Sequence, residues 1–146
     1  MQVKNPNCGD RSKCPINALV ELIGDQWSLL ILRDMILNLK VRYSEFEESD
    51  EGVATNILSR RLSQMVENGL IEKHPDPKDG RAAIYLPTHQ ALSLIPLLLA
   101  AMAWSEIHRP ATTRSDQIME IYKSDPLAAA QRLTQRALGF RQEVLS

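Results

Sequence analysis

Residues 53–71 read VATNILSRRLSQMVENGLI. Wound as a helix, the stretch gathers Ile57, Leu58, Leu62, Met65 and Val66 into one apolar stripe at helical spacing. Asn56, Arg60, Ser63 and Glu67 run down the opposite side, with Ser59 on the flank. Asn68-Gly69 then closes the helix, because glycine is the usual residue where a helix C-terminus must turn left-handed. The polar face carries side chains suited to base edges in a major groove: arginine fits guanine, asparagine fits adenine, and serine serves either. An ordinary amphipathic helix with a solvated outer face has the same pattern, so the flanking segments have to separate the two readings.

Downstream, the periodicity changes. Residues 70–74 and 81–86 are short strand-like runs, joined by Pro75-Asp76-Pro77-Lys78-Asp79-Gly80, a loop dense in turn residues. That is a β-hairpin, with Lys78 and Arg81 at or beside its tip, where they can meet phosphate oxygens or enter a minor groove. Upstream, Ser44-x-x-Glu47 has the form of a capping box and starts a short helix with Phe46 facing inward. Gly52 turns the chain between this helix and the next. Short helix, tight turn, polar-faced helix and hairpin follow in the order of a winged helix-turn-helix. Glu45, Glu47, Glu48, Asp50 and Glu51 make the short helix acidic, so that face is expected to point away from DNA.

The remaining segments build around this motif. Pro15 suits the first position of a helix, with Ile16, Leu19, Val20 and Ile23 on one stripe until Gly24. Asp25 caps a second helix through Ile36, apolar nearly all round at Trp27, Leu29, Leu30, Ile31, Leu32, Met35 and Ile36 and therefore buried on most sides. A linker with Lys40 and Arg42 leads to the short acidic helix. Thr88 caps a helix over 89–108, whose run 94–104 is almost wholly apolar. Eleven residues fall short of the roughly 20 needed to span a bilayer, so a partner subunit is the expected cover. Leu94, Leu97, Leu98, Ala101 and Trp104 are its candidate interface. Two more helices are expected, over 115–123 and after Asp125-Pro126, the latter with Leu127, Leu133, Ala137 and Leu138 inward. The chain divides into a flexible arm (1–13), a winged helix-turn-helix and dimerisation domain (14–109) and a helical extension (110–146). It is mainly α with a small β-hairpin wing.

Composition narrows the function classes. Hydrophobic content of 44% and charged content of 24% are globular values. A formal net charge of −1 advertises no nucleic-acid partner overall, but what matters is where the basic groups lie. Cys8 and Cys14 are too few for a disulfide scaffold, and no leader-like segment opens the sequence, so a cytoplasmic protein is expected. No Gly-rich phosphate loop or His-centred constellation suggests an enzyme or a cofactor. His74, His89 and His108 show no ligand spacing with the cysteines, so no metal is expected.

In these residues the chain resembles the HxlR-type winged-helix transcriptional regulators of bacteria. The resemblance is carried by Cys14-Pro15, Ile23-Gly24-Asp25-Gln26-Trp27-Ser28-Leu29-Leu30-Ile31-Leu32, Arg42-Tyr43-Ser44-Glu45-Phe46, Leu58-Ser59-Arg60-Arg61-Leu62, Glu67-Asn68-Gly69-Leu70-Ile71, Tyr85, Thr88 and Trp104. It implies a homodimer on double-stranded DNA at an inverted-repeat operator. In that geometry Asn56, Ser59 and Arg60 read bases, with Ser63 at the edge. Thr55, Lys40, Arg42, Lys78 and Arg81 hold phosphates. Arg61 lies nearer the buried side, and an ion pair to the body competes with a phosphate contact. Ala54 stands where the family usually has a capping Ser or Thr, which leaves that role to Thr55. Ala91 and Pro87 replace a frequent Gly and Leu, and the tail beyond Ile107 is longer than most. The wing 76–81 is closer to that of the MarR family, the competing label, which would make the chain a regulator answering to a small-molecule effector. A winged helix that docks only on proteins is the other alternative.

Cys14 is a separate candidate. It precedes a helix N-terminus with Arg11 and Lys13 close in sequence, features that favour a thiolate. Some members of the resembled family sense oxidants or electrophiles through a cysteine at this position. The competing reading is a small N-terminal residue without regulatory consequence.

Overall fold

The computed structural model describes residues 11–112 and 117–146; most of the expected arm, with Cys8, and the expected helix start at Ser115 lie outside the described residues. The helices are α1 (Pro15–Ile23), α2 (Ser28–Leu37), α3 (Tyr43–Glu47), α4 (Thr55–Glu67), α5 (His89–Leu92), α6 (Ile95–His108), α7 (Gln117–Ser124) and α8 (Pro126–Leu145). Between α4 and α5 lie β1 (Ile71–Pro75) and β2 (Ala83–Pro87), an antiparallel hairpin pairing Ile71 with Pro87 and Pro75 with Ala83. An isolated bridge from Arg42 to Ile84 and a 2.8 Å bond from the Tyr85 N–H to the Val41 carbonyl tie the α2–α3 linker to the hairpin. This is the winged helix-turn-helix expected from the sequence.

The core is built where those apolar stripes meet. Ile31, Leu32, Met35 and Ile36 of α2 pack with Phe46 of α3, Leu58, Leu62 and Met65 of α4, and Ile95 and Leu99 of α6. Each fully buried side chain of this size contributes about 1.5–3 kcal/mol relative to an exposed one. Gly69, at φ +74, closes α4 with a paired turn: its N–H bonds the Val66 carbonyl and the Leu70 N–H bonds that of Met65. A side chain there would pay for a left-handed backbone.

Several local expectations need correction. α3 is not capped by Ser44 and Glu47; its N-cap is Arg42, two residues before Ser44, and the Glu45 carboxylate accepts the N–H groups of Val41 (2.7 Å) and Arg42 (2.8 Å). Thr55 does not cap α4 either. Ala54 is the N-cap residue with no side-chain bond, and the Thr55 hydroxyl donates instead to Glu47 Oε1 at 3.2 Å. Thr88 does cap the next helix, accepting the Ala91 N–H, but that helix breaks at Ser93–Leu94. Pro96 explains the break, since its ring would strike the carbonyl of Leu92 four residues back. Residues His89–His108 have the length and apolarity to cross a bilayer, yet Leu92, Ile95, Leu98 and Leu99 are buried in the protein's own core. At the far end, Leu127 is 67% exposed rather than inward; the buried stripe of α8 is Ala129, Leu133 and Ala137, with Leu138 partly buried.

α8 reaches back across the molecule. Arg136 Nη2 donates to the carbonyls of Ile36 (2.8 Å) and Leu37 (3.0 Å), which close the C-terminus of α2. Phe140 and Val144 pack on Val41, Ile84 and Leu86, the small second core beneath the wing. Arg141 pairs with Glu72 of β1.

Candidate nucleic-acid interface

α4 presents the face that the sequence singled out. Leu58, Leu62 and Met65 are buried, while Asn56, Ser59, Arg60 and Ser63 are all exposed. Among the described residues, the side chains of Asn56, Arg60 and Ser63 have no hydrogen bond or ion pair. Ser59 does have a partner. The Tyr43 hydroxyl, at the start of α3, lies 3.0 Å from Ser59 Oγ and donates to the Thr55 carbonyl at 2.8 Å. Tyr43 was given no role in the sequence. Its signal was an aromatic ring with a polar tip placed one helix before the candidate face.

The helix is held to the body by charge. Arg61 Nε stands 3.3 Å from Asp25 Oδ1, so of the two readings for Arg61 the ion pair holds. Asp25 also accepts the Trp27 N–H (2.8 Å), the Ser28 N–H (2.9 Å) and the Ser28 hydroxyl. It is not the N-cap residue expected, since α2 starts at Ser28 with Trp27 in that position, but it bonds the first N–H groups from two residues further back. Burial pushes the Asp25 carboxyl up, but the Ser28 hydroxyl, the two N–H groups and Arg61 outweigh it and hold it below its ordinary value.

Lys40 is not free for phosphate. Its ammonium lies 3.3 Å from Asp34 Oδ2 and donates to Ser49 Oγ at 3.0 Å. Asp34 is buried and also accepts from Asn38 (2.9 Å), from the Arg33 guanidinium (2.9 and 3.0 Å) and from Ser49. Burial alone would raise the Asp34 carboxyl; the bonds from Ser49, Asn38 and Arg33 more than reverse that and lower it. Arg33 extends the network to Glu51, bonding Oε2 at 2.9 Å and holding that carboxyl down at about 2. Thus Glu45, Glu47 and Glu51 of the acidic segment each bind something within the protein, and Glu48 and Asp50 remain as exposed charges.

The wing is pinned at its base. Asp76 is buried and takes the Lys78 N–H on Oδ1 (2.9 Å) and Arg42 Nε on Oδ2 (2.8 Å). The Lys78 N–H lowers its carboxyl, burial opposes this, and Arg42 adds to the lowering. Arg42 is therefore partly engaged, with 38% of its side chain still exposed. The strands run one residue later than expected at β1 and two later at β2, which moves Arg81 into the loop. Lys78 and Arg81 are both exposed, and the Arg81 side chain is 96% solvent-accessible, with only a loose 3.7 Å approach to Asp79.

Comparison with known proteins agrees with this architecture. The family model for HxlR-like helix-turn-helix proteins matches residues 22–113. The chain belongs to the HxlR-like helix-turn-helix family. One relative, an uncharacterised helix-turn-helix-type transcriptional regulator of Mycobacterium tuberculosis, is 28% identical over 95 residues. That match takes in 65% of this chain and 59% of the relative, so the chain spans less than two thirds of that protein's length. Among solved structures, PA1607, described as a candidate transcription factor, is 36% identical, with 73% of this chain and 72% of that chain covered and a TM-score of 0.64. The redox regulator HypR in its oxidized form shares the fold at 21% identity and a TM-score of 0.58, covering 70% of this chain and all of that one. The relatives are named as transcriptional regulators rather than enzymes.

On this HxlR-like frame the remaining candidate residues can be placed. Trp104 is 55% exposed, Leu97 and Ala101 are exposed and Leu94 is partly buried. Leu98 is a correction: it is 7% exposed and packs into the core of its own protomer. In an all-apolar run the helix phase cannot be read from sequence, so Leu97 and Leu98 looked alike. Ile107 (74% exposed) joins the outward apolar set, as do Ile16 and Val20 from the apolar stripe of α1. Cys14 is exposed, free and at the N-cap of α1, and Arg11 turns away to Glu21 (2.8 Å) and Asn17 (3.1 Å). A groove of about 550 Å³ between α2, α6 and α7, lined in part by Leu37, Met102 and Met119, is of small-molecule size.

Proposed function

We propose that this protein is a sequence-specific DNA-binding transcriptional regulator that works as a homodimer on an inverted-repeat operator. The observation that carries the reading is the outer face of α4, where Asn56, Arg60 and Ser63 stand exposed and unengaged among the described residues. Two such helices enter successive major grooves about 34 Å apart on one side of the duplex. Asn56, Ser59 and Arg60 read bases with Ser63 at the edge, and Lys78, Arg81 and the exposed part of Arg42 hold phosphates. Lys40 and Thr55 leave that set, because their polar atoms are occupied within the protein. Leu97, Trp104 and Ile107 on α6, with Ile16 and Val20 on α1, support a second copy as their cover. Selection of bound duplexes from a random pool, followed by a salt titration, tests this. A regulator returns a palindromic site and loses affinity steeply with salt, whereas a module that docks only on proteins enriches nothing.

Redox control through Cys14 is a second reading, favoured by the exposed, free thiol at the mouth of α1. Diamide then releases the operator from the wild type and not from Cys14→Ser. Equal release from both removes the thiol from the mechanism.

A further inference from the structure

The contact between Tyr43 and Ser59 fixes more than the position of a helix. A phenol has one proton to donate, and a backbone carbonyl can only accept. The Tyr43 hydroxyl is 2.8 Å from the Thr55 carbonyl, so its proton is committed there; two oxygens that close without a proton between them would repel. The same Tyr43 oxygen is 3.0 Å from Ser59 Oγ. With the phenol proton already used, that second bond forms only if Ser59 is the donor. Ser59 is exposed on α4, and what it turns outward is then a pair of lone pairs with no proton.

We propose that Tyr43 sets the direction of the Ser59 hydroxyl, so that α4 offers the major groove an acceptor alone at this position and selects the amino group of adenine or cytosine. This rests on the base-reading role of α4 proposed above. In the major groove adenine N6 and cytosine N4 are the donors, whereas guanine O6 and N7 and thymine O4 are acceptors. A free serine hydroxyl serves either kind by rotating about its C–O bond. Here rotation toward guanine or thymine breaks the bond to Tyr43, so serine's usual indifference is lost. The discrimination is that of one neutral hydrogen bond, about three- to tenfold in affinity.

The test compares the wild type, Tyr43→Phe and Ser59→Ala on duplexes selected by the wild type from a random pool. Each site position is then changed to all four bases, and binding is read by fluorescence anisotropy. The expected wild-type pattern has one position per half-site where adenine and cytosine are preferred about three- to tenfold over guanine and thymine. Tyr43→Phe should flatten that position while the order of bases elsewhere is kept, and Ser59→Ala should flatten the same one. Preference that persists there in Tyr43→Phe overturns the proposal, as do equal losses at every position. Should Tyr43→Phe melt before it can be assayed, Ser59→Ala decides alone: an unchanged adenine-or-cytosine preference overturns the proposal. Arg60→Ala separates the two levels of argument. A wild type that enriches no site refutes DNA reading itself, whereas a site sensitive to Arg60 and blind to Tyr43 refutes only the hydroxyl's role.

Discussion

Asp34 and Arg60 are both charged helix residues of one small domain, and their surroundings could hardly differ more. Asp34 is buried and receives bonds from Arg33, Asn38, Lys40 and Ser49, side chains drawn from α2, the linker and the turn after α3. Arg60 stands on the outer face of α4 and engages nothing among the described residues. The acidic segment and the wing tip repeat the contrast: Glu45, Glu47 and Glu51 are bonded within the protein, whereas Lys78 and Arg81 reach solvent. A near-neutral chain can therefore offer unpaired basic groups on one face, because its ion pairs engage acid and base together elsewhere in the molecule. Net charge counted along a sequence says little about the potential a partner meets.

If the contrast is real, mutations on its two sides should separate stability from binding. Asp34→Ala leaves Arg33 and Lys40 facing each other without their anion, and a loss of about 3–5 kcal/mol in folding stability is expected by urea denaturation. A loss under 1 kcal/mol would mean that the network is ornamental. Arg60→Ala should leave the urea midpoint unchanged and cost about 1–3 kcal/mol in operator binding, with preference loosened at one position. Lys78→Ala should weaken all duplexes alike and reduce the salt slope by about 1. Identical, sequence-blind losses from the two would take base reading away from Arg60.

Two smaller effects sharpen the comparison. Ala54 caps α4 without a side-chain acceptor, so Ala54→Ser should stabilise the fold by about 1 kcal/mol in thermal melts. No gain would show that the first N–H groups of α4 are already satisfied. Glu51 is held at about 2, below the usual carboxylate range. A carboxyl lowered on folding stabilises the native state above its ordinary value, near 4.5, and that share disappears as pH falls toward 2. Glu51→Gln should thus cost a few tenths of a kcal/mol at neutral pH, the scale of a partly exposed pair, and flatten the acid limb of the stability profile. An unchanged limb assigns acid sensitivity to the more deeply placed Asp34 and Asp25.

Much of the fold was legible because its signals are local. The stripe on α4, the closing Gly69, the caps at Thr88 and Asp125 and the turn residues of the wing each need only a few neighbouring positions. The exposed face of the candidate site was legible in outline for the same reason, since the outward placement of Asn56, Arg60 and Ser63 follows from helical phase. What sequence could not show is which polar groups are occupied, because their partners come from elsewhere in the chain. Arg42 meets Asp76, 34 positions on, and Ser59 meets Tyr43, 16 positions back. Lys40 looked like a phosphate ligand until Asp34 and Ser49 closed around it. The phase of α6 was hidden for a different reason: a run that is apolar on every side carries no amphipathic bias to orient it.

Phe140 and Val144 lie within the last seven residues of the sequence and pack beneath a hairpin made some sixty residues earlier. During synthesis the hairpin emerges from the ribosome long before these two side chains are made, so it must wait with its underside bare. The hairpin is packed from beneath by the later part of α8, so a chain shortened before Phe140 would carry its wing on an unsupported underside.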